Sequence, residues 1–104
     1  MVKLYIDTRD NKCVIARLDL NGELFEEQSS SPNMRPESII NLIDKVCKNA
    51  KIDINKVDNI TVEKGPGSYT GLKVGVSVAN ALSFALGKKV NSIEIGEQVL
   101  PKYE

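Results

Sequence analysis

Histidine and tryptophan are absent from this chain of 104 residues, and aromatic residues of all kinds make up only 5% of it. Without histidine there is no imidazole to bind zinc or to act as a general base, which excludes a histidine-dependent metallopeptidase. The few aromatic residues are not interleaved with arginine or lysine, so the sequence gives little support for direct binding of nucleic acid.

The sequence also has no net charge, no cysteine pair motif and no long apolar run. Its 14 basic side chains balance 14 acidic ones. Cys13 and Cys47 stand alone in apolar patterns, so we expect two reduced thiols in the core of a cytoplasmic protein. No apolar run approaches the roughly 20 residues of a membrane span, and no signal peptide is visible, so we expect no membrane contact.

Hydrophobic patterning predicts one α/β domain over residues 1–104, with a five-stranded sheet and two main helices. The dipeptide Asn21-Gly22 between two strand-like runs is a strong hairpin signal. Helical crossovers should place the fourth and fifth strands parallel to the first, which makes the sheet mixed. The predicted strands cover residues 2–7, 12–20, 23–28, 59–64 and 90–95, and the predicted helices cover 36–50 and 70–86.

A glycine-rich turn between the fourth strand and the second helix is the most informative feature of the chain. Gly65 and Gly67 can take φ values closed to other residues, and Ser68 or Thr70 can cap the helix that follows. Such a turn before a helix is typical of either a phosphate cradle or a structural corner. It matches neither the Walker A loop nor GxGxxG, since Thr70 stands in place of the third glycine.

The second predicted helix is apolar over most of its circumference. Its polar residues lie on one narrow arc. On an ordinary surface helix the apolar residues form the narrow stripe instead. Two interpretations stay open: the helix is wedged between the sheet and a neighbouring helix, or its outer side docks on another polypeptide. In the second case small residues would let a partner helix approach closely, and these are Gly75, Ala79, Ala81 and Ala85.

The motif over residues 65–75, continued by the small and apolar residues up to Gly87, resembles the signature of the TsaB family. The opening segments 4–8 and 12–16 are similar to the first strand pair of that family, and the similarity extends over residues 1–95. Two departures matter. Arg9 stands where the family usually has a small hydroxyl residue, and the chain ends at Glu104, where TsaB proteins continue into a second lobe.

The resemblance implies a ribonuclease H-like or actin-like ATPase lobe without the second lobe of the family. It further implies a non-catalytic dimerisation subunit of the machinery that makes threonylcarbamoyladenosine in tRNA. Such a subunit pairs through its helices with the catalytic subunit TsaD or with itself, meets the ATPase TsaE in the complex, and contacts tRNA only indirectly. We therefore expect no enzymatic activity, no cofactor and no bound metal.

Two sets of residues are candidates for function. The interface candidates lie on the two helices: Leu42, Val46, Gly71, Leu72, Gly75, Val78, Ala79, Leu82 and Leu86. The candidates for a vestigial phosphate or metal site lie at the end of the first strand and in the glycine turn: Asp7, Thr8, Gly65, Gly67 and Ser68.

Asp7 has two interpretations. It stands where actin-like ATPases keep a carboxylate directed at metal or phosphate, and it also suits the cap of a strand-end turn. The alternative function is therefore a minimal Mg²⁺-dependent nuclease of the ribonuclease H type, or a nucleotide-binding actin-like fragment. Such a nuclease needs several convergent carboxylates, and neither Glu37 nor Glu63 is placed by the sequence as a further ligand. A third possibility is a self-associating domain outside tRNA modification.

Overall fold

The computed structural model describes residues 1–10, 12–30 and 35–91, and these form one mixed sheet packed against two helices. The strands lie in the order β3-β2-β1-β4-β5; β1 pairs antiparallel with β2 and parallel with β4, and β4 is parallel to β5. This confirms the predicted fold class. The elements are β1 (Val2–Asp7), β2 (Val14–Leu20), β3 (Glu23–Ser29), α1 (Pro36–Asn49), a 3₁₀ turn (Ile54–Lys56), β4 (Asn59–Val62), α2 (Tyr69–Leu86) and β5 (Lys89–Val90).

Local signals in the sequence account for most element boundaries. Asn21 and Gly22 both have positive φ, 54° and 97°, as a tight hairpin turn between β2 and β3 requires. Ser68 caps α2 by accepting a hydrogen bond from the Gly71 amide, and the left-handed Gly87 ends the helix. The predicted fifth strand is present at Lys89–Val90, while its predicted remainder beyond residue 91 lies outside the described residues.

The core lies on one face of the sheet, between the strands and both helices. Alternate strand residues point into it, among them Leu4, Ala16 and Ile60, and all three are fully buried. The intervening residues on the opposite face remain accessible and are mostly polar: Tyr5 pairs with Arg17 in the register of β1 and β2, and Arg17 with Glu26 in that of β2 and β3.

The described part of the chain corrects two expectations about burial. Cys47 is buried as predicted, but Cys13 is only half-buried, with its thiol directed at the side chain of Gln28. On α1, the side chain of Ile40 is 52% exposed, although its neighbour Ile39 is fully buried. Leu42, predicted as an interface residue, is buried within the chain instead.

Neither helix in the described residues has the length and apolar content that crossing a bilayer requires.

Candidate functional site

The glycine turn is filled by the chain's own backbone, which makes it a structural corner. The Ser68 amide donates a hydrogen bond of 3.0 Å to the Arg9 carbonyl. A Cβ added to Gly67 would lie 2.8 Å from the Cβ of Arg9, a distance that real side chains do not adopt. The turn therefore packs directly on the residue that follows Thr8, and its glycine is needed for that close approach.

Thr8 fixes the position of α2 against the end of β1. Its side chain is fully buried, and its hydroxyl donates a hydrogen bond of 2.6 Å to the Gly71 carbonyl. A Cβ at Gly71 would lie 2.1 Å from the Thr8 carbonyl oxygen, and a Cβ at Gly75 would lie 2.1 Å from the Thr8 hydroxyl oxygen. Both glycines face their own strand, so the prediction that Gly75 admits a partner helix is wrong. We call these contacts the Thr8 interlock.

Asp7 is held by Arg9, two residues further along the chain. The Asp7 Oδ1 accepts hydrogen bonds from the Arg9 amide at 3.0 Å and from its Nε at 3.1 Å, while Oδ2 lies 2.9 Å from Nη2. The Tyr5 hydroxyl lies 2.9 Å from Oε1 of Glu63 and 3.3 Å from Oδ2 of Asp7. Arg9 Nη1 is 3.8 Å from the other Glu63 oxygen, so the guanidinium stands between two carboxylates.

The charges of this cluster compensate one another. Burial raises the pKa of Asp7, but the hydrogen bonds and charge of Arg9 outweigh it and hold that pKa below its ordinary value. The pKa of Arg9 is raised, chiefly by its hydrogen bond to Asp7. Burial raises the pKa of Tyr5, and the hydrogen bond to Glu63 raises it further, which keeps the phenol neutral at physiological pH. Asp7 is thus ionised but already bound to a cation.

The prediction from the sequence did not include Tyr5, Arg9 and Glu63 as partners of Asp7. The signal that could have found Glu63 is the register of the parallel pair, in which Ile6 lies beside Val62 and the next residues are therefore neighbours. Glu37 is exposed in the first turn of α1. Within the described residues no group of three His, Cys, Asp or Glu side chains could hold a metal ion. The hydroxyls of Thr8 and Ser68 are engaged with the backbone of α2.

Seven of the nine interface candidates lie inside the chain. The physical reason is that α2 has two neighbours, since the sheet covers one side and α1 covers another, as the first of the two interpretations expected. Leu82 and Leu86 remain partly exposed. The buried candidates are Leu42, Val46, Gly71, Leu72, Gly75, Val78 and Ala79.

The side of α2 that faces solvent carries mainly small side chains and one large aromatic ring. Ser77, Ala81 and Ala85 follow one another along the exposed side, and beside them the ring of Phe84 is 78% exposed. Lys73 is the one charged residue of the helix. We call this surface the α2 outer face. Large exposed apolar side chains beside small ones are typical of contact surfaces between proteins.

A groove of about 390 Å³ adjoins α2 near its carboxyl end. Its walls come from α1, from the segment around the 3₁₀ turn and from Leu82 of α2. The groove is mainly apolar, with three charged side chains at its margin. The residues lining it are Ile40, Ile43, Asp44, Cys47, Lys48, Ile52, Asp53, Ile54 and Leu82.

The known proteins to which this chain is similar are named for one process, the synthesis of threonylcarbamoyladenosine in tRNA. Residues 35–97 match the family model described as TsaD, tRNA N6-adenosine threonylcarbamoyltransferase. The tRNA threonylcarbamoyladenosine biosynthesis protein TsaB of Haemophilus influenzae is 32% identical over 78% of this chain and 34% of its own length. The TsaB protein of Buchnera aphidicola from Schizaphis graminum is 32% identical over 80% of this chain and 39% of its own length. The tRNA N6-adenosine threonylcarbamoyltransferase of Ralstonia pickettii is 39% identical over 69% of this chain and 20% of its length.

A solved structure, YeaZ from Pseudomonas aeruginosa, shares the fold. It superposes with a TM-score of 0.80 at 22% identity, covering 89% of this chain and 43% of that one. This likeness confirms the actin-like, ribonuclease H-like lobe. The chain spans about a third of the length of the TsaB relatives it matches.

The Thr8 interlock predicts that Thr8→Ala recovers part of the stability lost by an alanine at Gly75 but not that lost by an alanine at Gly71. Gly75→Ala should lower the free energy of unfolding by about 1–3 kcal/mol, because the new methyl group meets the Thr8 side chain. Combining it with Thr8→Ala removes the hydroxyl and Cγ2 and should recover part of the loss. Gly71→Ala meets a backbone carbonyl, so Thr8→Ala should not rescue it. Urea denaturation of both double-mutant cycles measures the coupling; equal coupling at the two glycines would contradict the interlock.

The Asp7–Arg9 pair predicts a defined pH dependence. Because the pKa of Asp7 is lower in the folded than in the unfolded chain, the pair stabilises the fold above about pH 4 and this contribution disappears as pH falls through the folded value. Arg9→Gln should cost about 1 kcal/mol at pH 7, a modest figure because Arg9 is half exposed, and the difference from wild type should shrink by pH 3. Urea midpoints at pH 7, 5 and 3 test this. Lys45→Gln, which removes an exposed pair with Glu27, is the control.

Proposed function

The chain belongs to the TsaD family, and we propose that it serves the synthesis of threonylcarbamoyladenosine in tRNA as a non-catalytic scaffold subunit. Similarity to relatives that are named for this pathway supports the proposal. TsaB proteins match four-fifths of the chain at about 32% identity. The described lobe corresponds to part of those proteins, so the proposal concerns what this lobe contributes to a complex.

The observation that carries the proposal is the α2 outer face. The Thr8 interlock and the sheet hold α2 in place, which presents Ser77, Ala81, Ala85 and Phe84 to solvent without further rearrangement. A preordered, nearly uncharged surface loses little conformational entropy when another helix packs on it. We propose that a TsaD-like catalytic subunit, or a second copy of this chain, docks there, and that a TsaE-like ATPase and tRNA join through the complex.

The Asp7 cluster supports the absence of catalysis. A carboxylate that already accepts hydrogen bonds from the guanidinium of Arg9 has little capacity left to coordinate a metal or take a proton. Developing charge in a transition state is stabilised by groups aimed at substrate, whereas these groups satisfy one another.

One observation favours the second candidate, a Mg²⁺-dependent nuclease. Asp7 and Glu63 lie near each other at the ends of neighbouring parallel strands, which is where two carboxylates of a ribonuclease H-type site would stand. Arg9 occupies the space between them, so the cluster favours the scaffold.

A docking test follows from the proposed face. Ala81→Glu places a charge in the centre of that surface and should abolish copurification with the tRNA N6-adenosine threonylcarbamoyltransferase of the same organism, because the charge would be buried unpaired. Leu24→Glu, which alters an exposed apolar residue on the edge strand β3, is the matched control and should leave copurification intact. Circular dichroism establishes that both variants fold. Undiminished copurification of the Ala81 variant would contradict the proposed face.

A catalytic test separates the two candidates. We expect the purified chain to show no turnover of ATP, RNA or DNA above background with Mg²⁺ or Mn²⁺. Asp7→Ala should behave identically, since Asp7 serves structure. Turnover by wild type that disappears in the Asp7 variant would overturn the scaffold proposal in favour of the nuclease.

A further inference from the structure

The strand β3 forms one edge of the sheet along its whole length. It is seven residues long, and each of its residues pairs with one residue of β2, so the strand contains no bulge. Among the described elements none lies beyond it. Proteins usually protect such an edge with a proline, a bulge or a very short strand. Because β3 has none of these features, its outer backbone is accessible to a further strand.

The turn between β2 and β3 determines which backbone groups face outward. This two-residue turn makes Leu20 and Glu23 a hydrogen-bonded pair. Along an antiparallel ladder, hydrogen-bonded and non-hydrogen-bonded pairs alternate. The residues that direct their amides and carbonyls away from β2 are therefore Leu24, Glu26 and Gln28. They present a row of donors and acceptors at the spacing that an extended chain requires.

An apolar side chain accompanies these outward backbone groups. Leu24 is 64% exposed, and the residue beside it on β2 is Asp19, whose carboxylate accepts a hydrogen bond from the Gly22 amide. The sheet itself thus gives Leu24 no apolar cross-strand neighbour. A strand added beside β3 would cover this side chain, and cross-strand apolar contacts stabilise a sheet.

The charges of β3 disfavour a second copy of this chain as the added strand. β3 carries Glu23, Glu26 and Glu27 and no basic residue. Two copies paired antiparallel over their full length would set Glu26 opposite its own equivalent. Because the outward groups recur every second residue, a neighbouring register is shifted by two residues, and it sets Glu27 opposite Glu27 or Glu23. Like charges directly opposite one another therefore destabilise all of these registers.

The same charges favour a basic partner. Two of the three glutamates contact a cation of the chain itself. Arg17 lies 2.7 Å from Glu26, and Lys45 lies 3.5 Å from Glu27. Three acidic side chains against two basic ones leave the edge with an excess of negative charge, to which the exposed Glu23 contributes.

We propose that β3 binds an extended segment of another protein, which adds to the sheet as a sixth strand. This segment carries basic side chains opposite the glutamates of β3 and an apolar side chain opposite Leu24. In this mode of recognition the backbone hydrogen bonds supply affinity, and the alternate side chains supply specificity.

The β3 edge is separate from the α2 outer face. β3 and β5 lie at opposite edges of the sheet, and α2 packs over β4 and β5 whereas α1 packs over β2 and β3. Both surfaces can be occupied at once, so this inference goes beyond the proposed function. Leu24→Glu, the control for copurification, alters only the β3 edge.

Amide hydrogen exchange in the presence of a synthetic peptide tests the added strand. The probe is acetyl-TTKKVVK-amide, which in antiparallel register sets a lysine opposite each glutamate of β3 and valines opposite Phe25 and Leu24. At saturating peptide, exchange at Leu24, Glu26 and Gln28 should slow by about tenfold or more, because their amides gain acceptors. The amides of Phe25 and Glu27 already face β2 and should change little. The acidic peptide acetyl-TTEEVVE-amide is the control and should leave exchange unchanged.

Two N-methylated forms of the probe make a matched pair. Methylation at the fourth residue removes an amide that faces β3 and should raise the dissociation constant by about tenfold. Methylation at the fifth residue removes an amide that points away from β3 and should leave the constant nearly unchanged. In the protein, Leu24→Pro removes an outward amide and should weaken binding similarly. Leu24→Ala keeps that amide and should retain most of the affinity.

Unchanged exchange at the three outward amides would contradict the added strand, as would equal binding of the two methylated peptides or tight binding of the acidic peptide. Slowed exchange that increases with the concentration of the chain alone would identify a second copy as the occupant and would also overturn the proposal. If Leu24→Pro fails to fold, the methylated pair still decides. A chain that binds the basic peptide but does not copurify with the transferase retains this inference and loses the proposed function; the reverse result does the opposite.

Discussion

The contact between Thr8 and the first half of α2 is the constraint on which the rest of the structure depends. Two glycines of the helix touch a carbonyl and a hydroxyl of the same residue, at distances that leave no room for a methyl group. The hydroxyl in turn donates to the Gly71 carbonyl. Together these contacts fix the height, rotation and distance of α2 relative to the end of β1, so the helix can be nearly uncharged without being loosely packed.

Fixing α2 in this way determines which of its residues can meet a partner. Gly71 and Gly75 belong to the inner side, where they serve close packing, and Ala81 with Ala85 is left outside. The same corner places Arg9 over Asp7 and beside Glu63, so the end of the parallel strands holds a compensated cluster of charges. A turn that resembles a phosphate cradle in its composition thereby serves to orient a helix, which is consistent with the proposed docking role of that helix.

Local features of the fold could be predicted from the sequence because they depend on neighbouring residues. The Asn21-Gly22 turn, the Ser68 cap and the Gly87 helix end each follow from the conformations that one or two residues allow. The side of α2 that faces inward could not be predicted, because it depends on Thr8, more than sixty residues earlier. The partners of Asp7 could not be predicted either. The sequence pattern does not show that the side chain of Arg9 folds back onto Asp7, or that the register of β1 and β4 places Glu63 beside them. Arg9 departs from the family pattern, but that departure does not indicate which side chain it binds.

Tyr5 gives this arrangement a spectroscopic consequence. The chain contains no tryptophan, so its tyrosines dominate absorption and emission in the near ultraviolet. The ring of Tyr5 lies beneath the Arg17 guanidinium at 5.0 Å, and its hydroxyl is directed at the carboxylates of Glu63 and Asp7. Tyr69, by contrast, is largely accessible to solvent. The optical signal of Tyr5 is therefore a label already present in the chain, located where the two parallel strands, the first turn and the charged cluster meet.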